Sequence, residues 1–236
     1  MRNVLLYFTI NHNGNWEKIY DSISNKEMVS DDVCLKVKNS IKKNWLTILD
    51  DNYPEELKKI LKPPFVLFYE GNLKLLNKSN LKISLLDDNI VIKDLEKIKN
   101  TLNDFVFIIH YEKKKIIENL INIGASVVAV SKKGINEVDD DEIYQKLLKT
   151  RNLIISENYS SDENNFARTF YQDRLQSGLS GRILFLNKVT KNKTAILSFL
   201  NEEKVPVFSL KDRSINGFKF IKVNSLKEFK KINFIN

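Results

Sequence analysis

The sequence predicts an α/β protein, a Rossmann-like, doubly wound and mainly parallel sheet with a short N-terminal helical region. Three observations predict it. Short apolar runs alternate with helical stripes along most of the chain, which is the pattern of successive βα units. The runs are apolar at consecutive positions, as strands buried on both faces are. Only residues 1–43 break the alternation, and they carry helical signals alone. The expected division is therefore a helical region over 1–43 and a Rossmann domain over 44–236.

In chain order, Leu5, Leu6 and Phe8 open an apolar core segment, and Asn13-Gly14-Asn15 is a turn. Trp16, Ile19, Tyr20 and Ile23 share one face of a short helix, and Ser30-Asp31-Asp32 can cap the next. Asp51-Asn52-Tyr53-Pro54-Glu55-Glu56 reads as a helix start: a polar cap, proline in the first turn, acids facing the dipole. Pro63 and Pro64 end that helix, and Phe65 to Tyr69 is a strand closed by Gly71. Further strands are predicted at Leu81–Leu86, Phe105–His110, Ser126–Val130, Leu153–Ser156, Ile183–Leu186, Val205–Phe208 and Phe218–Val223. Helical stripes lie between them: Val91, Leu95, Ile98 and Leu102; Ile116, Ile117, Leu120 and Ile121, ended by Gly124; Ile143, Tyr144, Leu147 and Leu148; Ile196, Phe199 and Leu200; then Leu226 and Phe229.

Composition narrows the function. No apolar run approaches the roughly 20 residues of a membrane helix, so no membrane partner is expected. The start lacks a signal-peptide cleavage site. A single cysteine, Cys34, excludes an internal disulfide and a cysteine-rich metal site, and a cytoplasmic location is the default. The formal charge of +8 favours a polyanionic partner. With 7 glycines in all, no G-x-G-x-x-G and no Walker A sequence, nothing cradles a pyrophosphate, and no cofactor is expected.

In a doubly wound sheet the binding crevice lies beyond the carboxyl ends of the strands. Lys113, Lys114 and Lys115 follow one strand, and Lys132 and Lys133 follow the next, so both groups can converge on one rim. Arg168, Arg174 and Arg182 surround a third segment with Phe166, Phe170 and Tyr171 interleaved. Such residues can neutralise phosphates and stack on bases; equally, the aromatics can be core and the lysines a solvated face. His12 reads as solvated and His110 as structural. Asp87-Asp88 reads as a helix cap more readily than a Mg²⁺ site, and Asp139–Glu142 as a helix start.

Two segments resemble the DNA-processing protein A (DprA, or Smf) family. One is Asp51-Asn52-Tyr53-Pro54, Pro63-Pro64 and Tyr69-Glu70-Gly71-Asn72-Leu73; the other is Ile155-Ser156-Glu157-Asn158, followed by Phe170, Arg174, Gly178, Leu179 and Ser180. The resemblance can be followed from about residue 45 to 210. It implies an extended Rossmann-like, non-enzymatic protein that binds single-stranded DNA, forms a homodimer and helps load a RecA-type recombinase during recombination and natural transformation. On it, Arg174, Arg168, Lys132, Lys133, Lys113–Lys115 and Tyr171 are the expected DNA contacts, with Tyr111 a second stacking candidate. The departures are specific. Leu85-Leu86-Asp87 stands where the family has a glycine-serine-arginine phosphate loop, and Ile109-His110-Tyr111-Glu112-Lys113 replaces a second glycine-rich loop. Gln172 and Asp173 replace an arginine and an asparagine. Those departures keep two alternatives open: an interaction protein that has lost the DNA pocket, and a small-molecule enzyme using His110, Asp87 and Asp88.

Overall fold

The computed structural model describes residues 1–77, 81–87, 90, 103–138, 142–160, 167–186, 194–202, 204–210 and 218–234; the side chains of 167–170, 194–195, 199 and 233–234 are not part of that description. Three helices open the chain: α1 (Arg2–Asn11), α2 (Trp16–Ser24) and α3 (Asp31–Ser40). The strands are β1 (Asn44–Thr47), β2 (Val66–Gly71), β3 (Leu81–Leu85), β4 (Phe105–His110), β5 (Ser126–Val130), β6 (Leu153–Ser156), β7 (Ile183–Phe185), β8 (Val207–Ser209) and β9 (Ile221–Lys222). The helices among them are α4 (Lys114–Asn122), α5 (Glu142–Lys149), α6 (Ala167–Ser180), α7 (Thr194–Glu202) and α8 (Leu226–Phe234).

Among the described residues the sheet has nine strands in the order β1-β2-β6-β5-β4-β3-β7-β8-β9. β1 and β2 run antiparallel, as do β2 and β6; every other pairing is parallel. The expected α/β fold is what forms. The physical reason is visible in β4, buried at all six positions. Phe105, Phe107 and Ile109 enter one core with α1, α4, α5 and α8, while Val106 and Ile108 enter a second core with Leu175 and Leu179 of α6. A third cluster joins β7 to α7 through Phe185, Ile196 and Leu200. Leu5 and Leu6 of α1 share the first core with Phe68 and Phe107, so the N-terminal helices pack on the sheet itself.

Three differences from the sequence reading have local causes. Residues 51–61 form turns and a single 3₁₀ turn (Leu57–Lys59) instead of a helix. Tyr53 is drawn into the core at 2% exposure and its hydroxyl donates to the Pro64 carbonyl at 2.7 Å, which holds the segment against the strand entry. The strand predicted over Phe218–Val223 shrinks to Ile221–Lys222, both exposed at the sheet edge. α6 and β1 form where no element was expected. The stripe at Val91–Leu102 and the acids Asp139–Asp141 lie outside the described residues.

The prolines before β2 act as acceptors that need no donor of their own. Trp16 Nε1 donates to the Pro63 carbonyl at 2.8 Å, as the Tyr53 hydroxyl does to that of Pro64, and one residue on Ile48 N–H donates to the Phe65 carbonyl at 3.0 Å. Removing the Tyr53 hydroxyl leaves a buried carbonyl unpaired. Tyr53→Phe is therefore expected to lose about 1–2 kcal/mol, read as a lower urea midpoint with an unchanged m-value. At the far end of β2, Gly71 has φ +101°, and a Cβ there would lie 2.2 Å from the Asn152 carbonyl oxygen, so only glycine fits the close approach of β2 to β6.

Candidate nucleic-acid interface

The carboxyl ends of β3, β4, β5 and β6 lie side by side and form one crest. At that crest β4 passes into α4 and β5 into a polar loop, and His110 is the register partner of Val130. Lys114 and Lys115 open α4, Lys132 and Lys133 open the loop, and all four are exposed. The first turn of α4 carries no acid and no side-chain cap. Lysine at a helix N-terminus opposes the macrodipole, so these residues do not serve the helix. The two lysine groups that the sequence placed on adjacent loops do stand on adjacent loops.

The other predicted contacts go elsewhere. Lys113 points inward, and its Nζ donates to the carbonyls of Leu86, at 3.1 Å, and of Asp87. Arg174 is only 2% exposed; its Nη2 meets Glu157 Oε2 at 2.5 Å and its Nη1 donates to the Leu61 carbonyl at 3.3 Å. Neither cation is presented on the rim, because each satisfies buried oxygen. Tyr171 is half-buried with the Arg174 guanidinium over its ring at 5.1 Å, so one face is taken. Tyr111 is 3% exposed, which removes it as a stacking surface. Arg168 lies in the first turn of α6, and its side chain falls outside the described residues.

The crest is finished by polar side chains of α6 that the sequence reading left unassigned. Gln176 donates to the carbonyls of Leu85 and Ile108 at 3.0 and 2.9 Å. Gln172 donates to the Val130 carbonyl and to Glu112, both at 2.6 Å. Asp173 Oδ1 sits 3.0 Å from His110 Nε2, in keeping with a structural histidine. The segment that Asp87 was expected to cap lies outside the described residues; the buried Asp87 carboxylate accepts from Leu186 N–H at 3.0 Å. Asp88 lies outside the described residues. His12 is half-buried, 2.9 Å from the Ser22 hydroxyl and stacked on Phe8, where a solvated turn was expected. Burial pushes the Glu157 carboxyl above its ordinary range, while the Arg174 charge and hydrogen bond pull it back.

Fold and crest together define a class: an extended Rossmann-type protein with an antiparallel β1–β2 extension and an N-terminal helical cap, whose strand ends are lined by basic loops. Residues 44–84 match the family model of DNA recombination-mediator protein A. The fold is that of DNA processing protein A from Streptococcus pneumoniae, with a TM-score of 0.67 at 19% identity over 99% of this chain and 94% of that one. DNA processing protein A from Helicobacter pylori, whose structure concerns its single-stranded DNA binding mode, aligns with a TM-score of 0.61 at 15% identity, covering 81% of this chain and 96% of that one. No curated protein matches the chain. The family-model match is confined to residues 44–84, and the two solved structures show that the whole chain shares the DNA processing protein A fold. Among the described residues no helix is long and apolar enough to cross a membrane.

Proposed function

We propose that the protein binds single-stranded DNA without catalysing a reaction on it, and serves recombination by handing that DNA to a RecA-type recombinase as a homodimer. The observation that carries the reading is the cluster of Lys114, Lys115, Lys132 and Lys133, exposed on neighbouring loops at the crest with no acid in the first turn of α4. Four ammonium groups at one strand-end rim attract a phosphate chain irrespective of base sequence. The formal charge of +8 acts in the same direction over longer range. Lys113 and Arg174 take no part, since both are committed to interior oxygens. The match of residues 44–84 to the DNA recombination-mediator protein A model and the shared fold support the same partner.

Fluorescence anisotropy of a labelled single-stranded oligonucleotide, titrated with salt and competed with duplex, tests this. Steeply salt-dependent binding that duplex competes for poorly is expected. Binding no tighter than that of an unrelated protein of equal charge would overturn it. One observation favours the second reading, an interaction protein without a DNA pocket: Lys113, Asp87 and Gln172 fill strand ends where the family's glycine-rich loops would present backbone amides. In that case sedimentation would show a dimer, or a recombinase complex, with no DNA affinity.

A further inference from the structure

We infer that single-stranded nucleic acid on this crest also stacks a base on Tyr20, at the end of a column of three aromatic rings between α2 and the start of β2. The inference rests on the proposed DNA binding and adds to it where the bases go. Phe65, at the entry to β2, stacks on Trp16 with centroids 5.3 Å apart and planes 25° apart. Trp16 stacks in turn on Tyr20, one helical turn on, at 5.0 Å and 11°. Tyr20 ends the column 50% exposed. The column is fixed in place: Trp16 Nε1 donates to the Pro63 carbonyl, and the Lys62 ammonium lies 5.9 Å from the Trp16 ring centre while pairing with Glu17. A flat, pre-ordered ring open on one side loses little entropy when a base covers it.

Topology places this column beside the lysines. β2 runs antiparallel to β6, so Phe65 at the start of β2 lies at the same crest as Glu157 at the end of β6. In sheet order the crest reads β4 with Lys114 and Lys115, β5 with Lys132 and Lys133, β6, then β2 with the rings. Three strand spacings separate the first from the last, about 14 Å. The contacts between are continuous: Ile135 N–H donates to the Asn158 carbonyl at 2.9 Å, and a Cβ on Gly14, just before α2, would lie 2.2 Å from Asn158 Oδ1. A chain whose phosphates follow the lysines is thus led to the rings within one short oligonucleotide. The exposed neighbours of Tyr20 on α2 are Glu17, Lys18, Asp21 and Ser24. On α2 itself the exposed residues around Tyr20 are polar, which suits a stacked base better than a protein partner, which would need apolar neighbours.

The test compares Tyr20→Ala with Tyr20→Phe, using a labelled mixed-sequence oligonucleotide and an abasic oligonucleotide of equal length. Tyr20→Ala is expected to weaken binding about tenfold with an unchanged salt slope, because stacking releases no counterions; Tyr20→Phe keeps the affinity. The abasic chain should bind the parent and Tyr20→Ala equally. A Tyr20→Ala protein that binds the base-bearing chain as the parent does, or loses affinity equally for both chains, overturns the inference and leaves the lysine rim standing. A parent protein that binds neither chain overturns both readings.

Discussion

Arg174→Ala is expected to destabilise the protein by about 3–5 kcal/mol, the largest single effect of any side chain at the crest. The guanidinium is buried against Glu157 Oε2 and the Leu61 carbonyl. Truncation leaves a carboxylate in a site where burial alone already raises its pKa. Most of the cost is that uncompensated charge, so it has a pH signature. A carboxyl group whose folded pKa lies above its unfolded value favours the folded state when protonated, and that contribution is lost as pH rises through the folded pKa. Without Arg174 the folded pKa of Glu157 rises further. The deficit of Arg174→Ala should therefore be largest near neutrality and shrink as pH falls below the raised value toward the ordinary carboxyl range. Urea midpoints of parent and variant at two pH values measure this. A deficit that does not change with pH would mean that lost packing dominates. The double replacement Arg174→Met with Glu157→Gln should recover much of the loss, since it removes the charge together with its partner.

Replacing Lys114, Lys115, Lys132 and Lys133 together by alanine should remove most single-strand affinity and flatten the slope of log K against log salt by about 3, at roughly 0.7 per phosphate contact for a single strand. Stability should hold or rise slightly, because two of the four oppose the α4 dipole. Net charge falls as well, so the control is a protein with Lys74, Lys149, Arg151 and Lys204 replaced, all exposed and all at the opposite edge of the sheet. Equal loss in both proteins would assign the binding to overall charge. Loss confined to the rim protein would assign it to the crest. An unaffected rim protein would point to the interaction-protein reading.

The contrast between α6 and the strands explains what could be read in advance. β4 announces itself, since six consecutive apolar residues buried on two faces need no partner to be recognised. α6 is the longest described helix, yet its sequence ARTFYQDRLQSGLS has little apolar period. It is buried largely through Gln172, Arg174, Gln176, Ser177 and Ser180, with Leu175 and Leu179 the main apolar contacts. Polar groups can be buried only if they find partners, and the partners here are carbonyls of β3, β4 and β5 and the carboxylate of Glu157, all distant in sequence. Periodicity cannot show that. β1 was missed for a plainer reason: it is four residues long and half covered.

By itself the sequence determined the α/β class, the strand positions along most of the sheet, and the placing of two lysine pairs on adjacent strand-end loops. Those properties follow from local apolar patterning and from the rule that parallel strands deliver their loops to one edge. Only the tertiary structure decided which cations stay in water. Lys113 and Lys114 are neighbours in sequence, but one is half-buried, its ammonium held by the Leu86 and Asp87 carbonyls, and the other is exposed. Arg174, charged and flanked by aromatics, has the composition of a nucleic-acid contact and the position of an interior ion pair. The difference is desolvation: a charge is held inside when a buried oxygen partner offsets the loss of water, and that partner is supplied by chain folding back from far away.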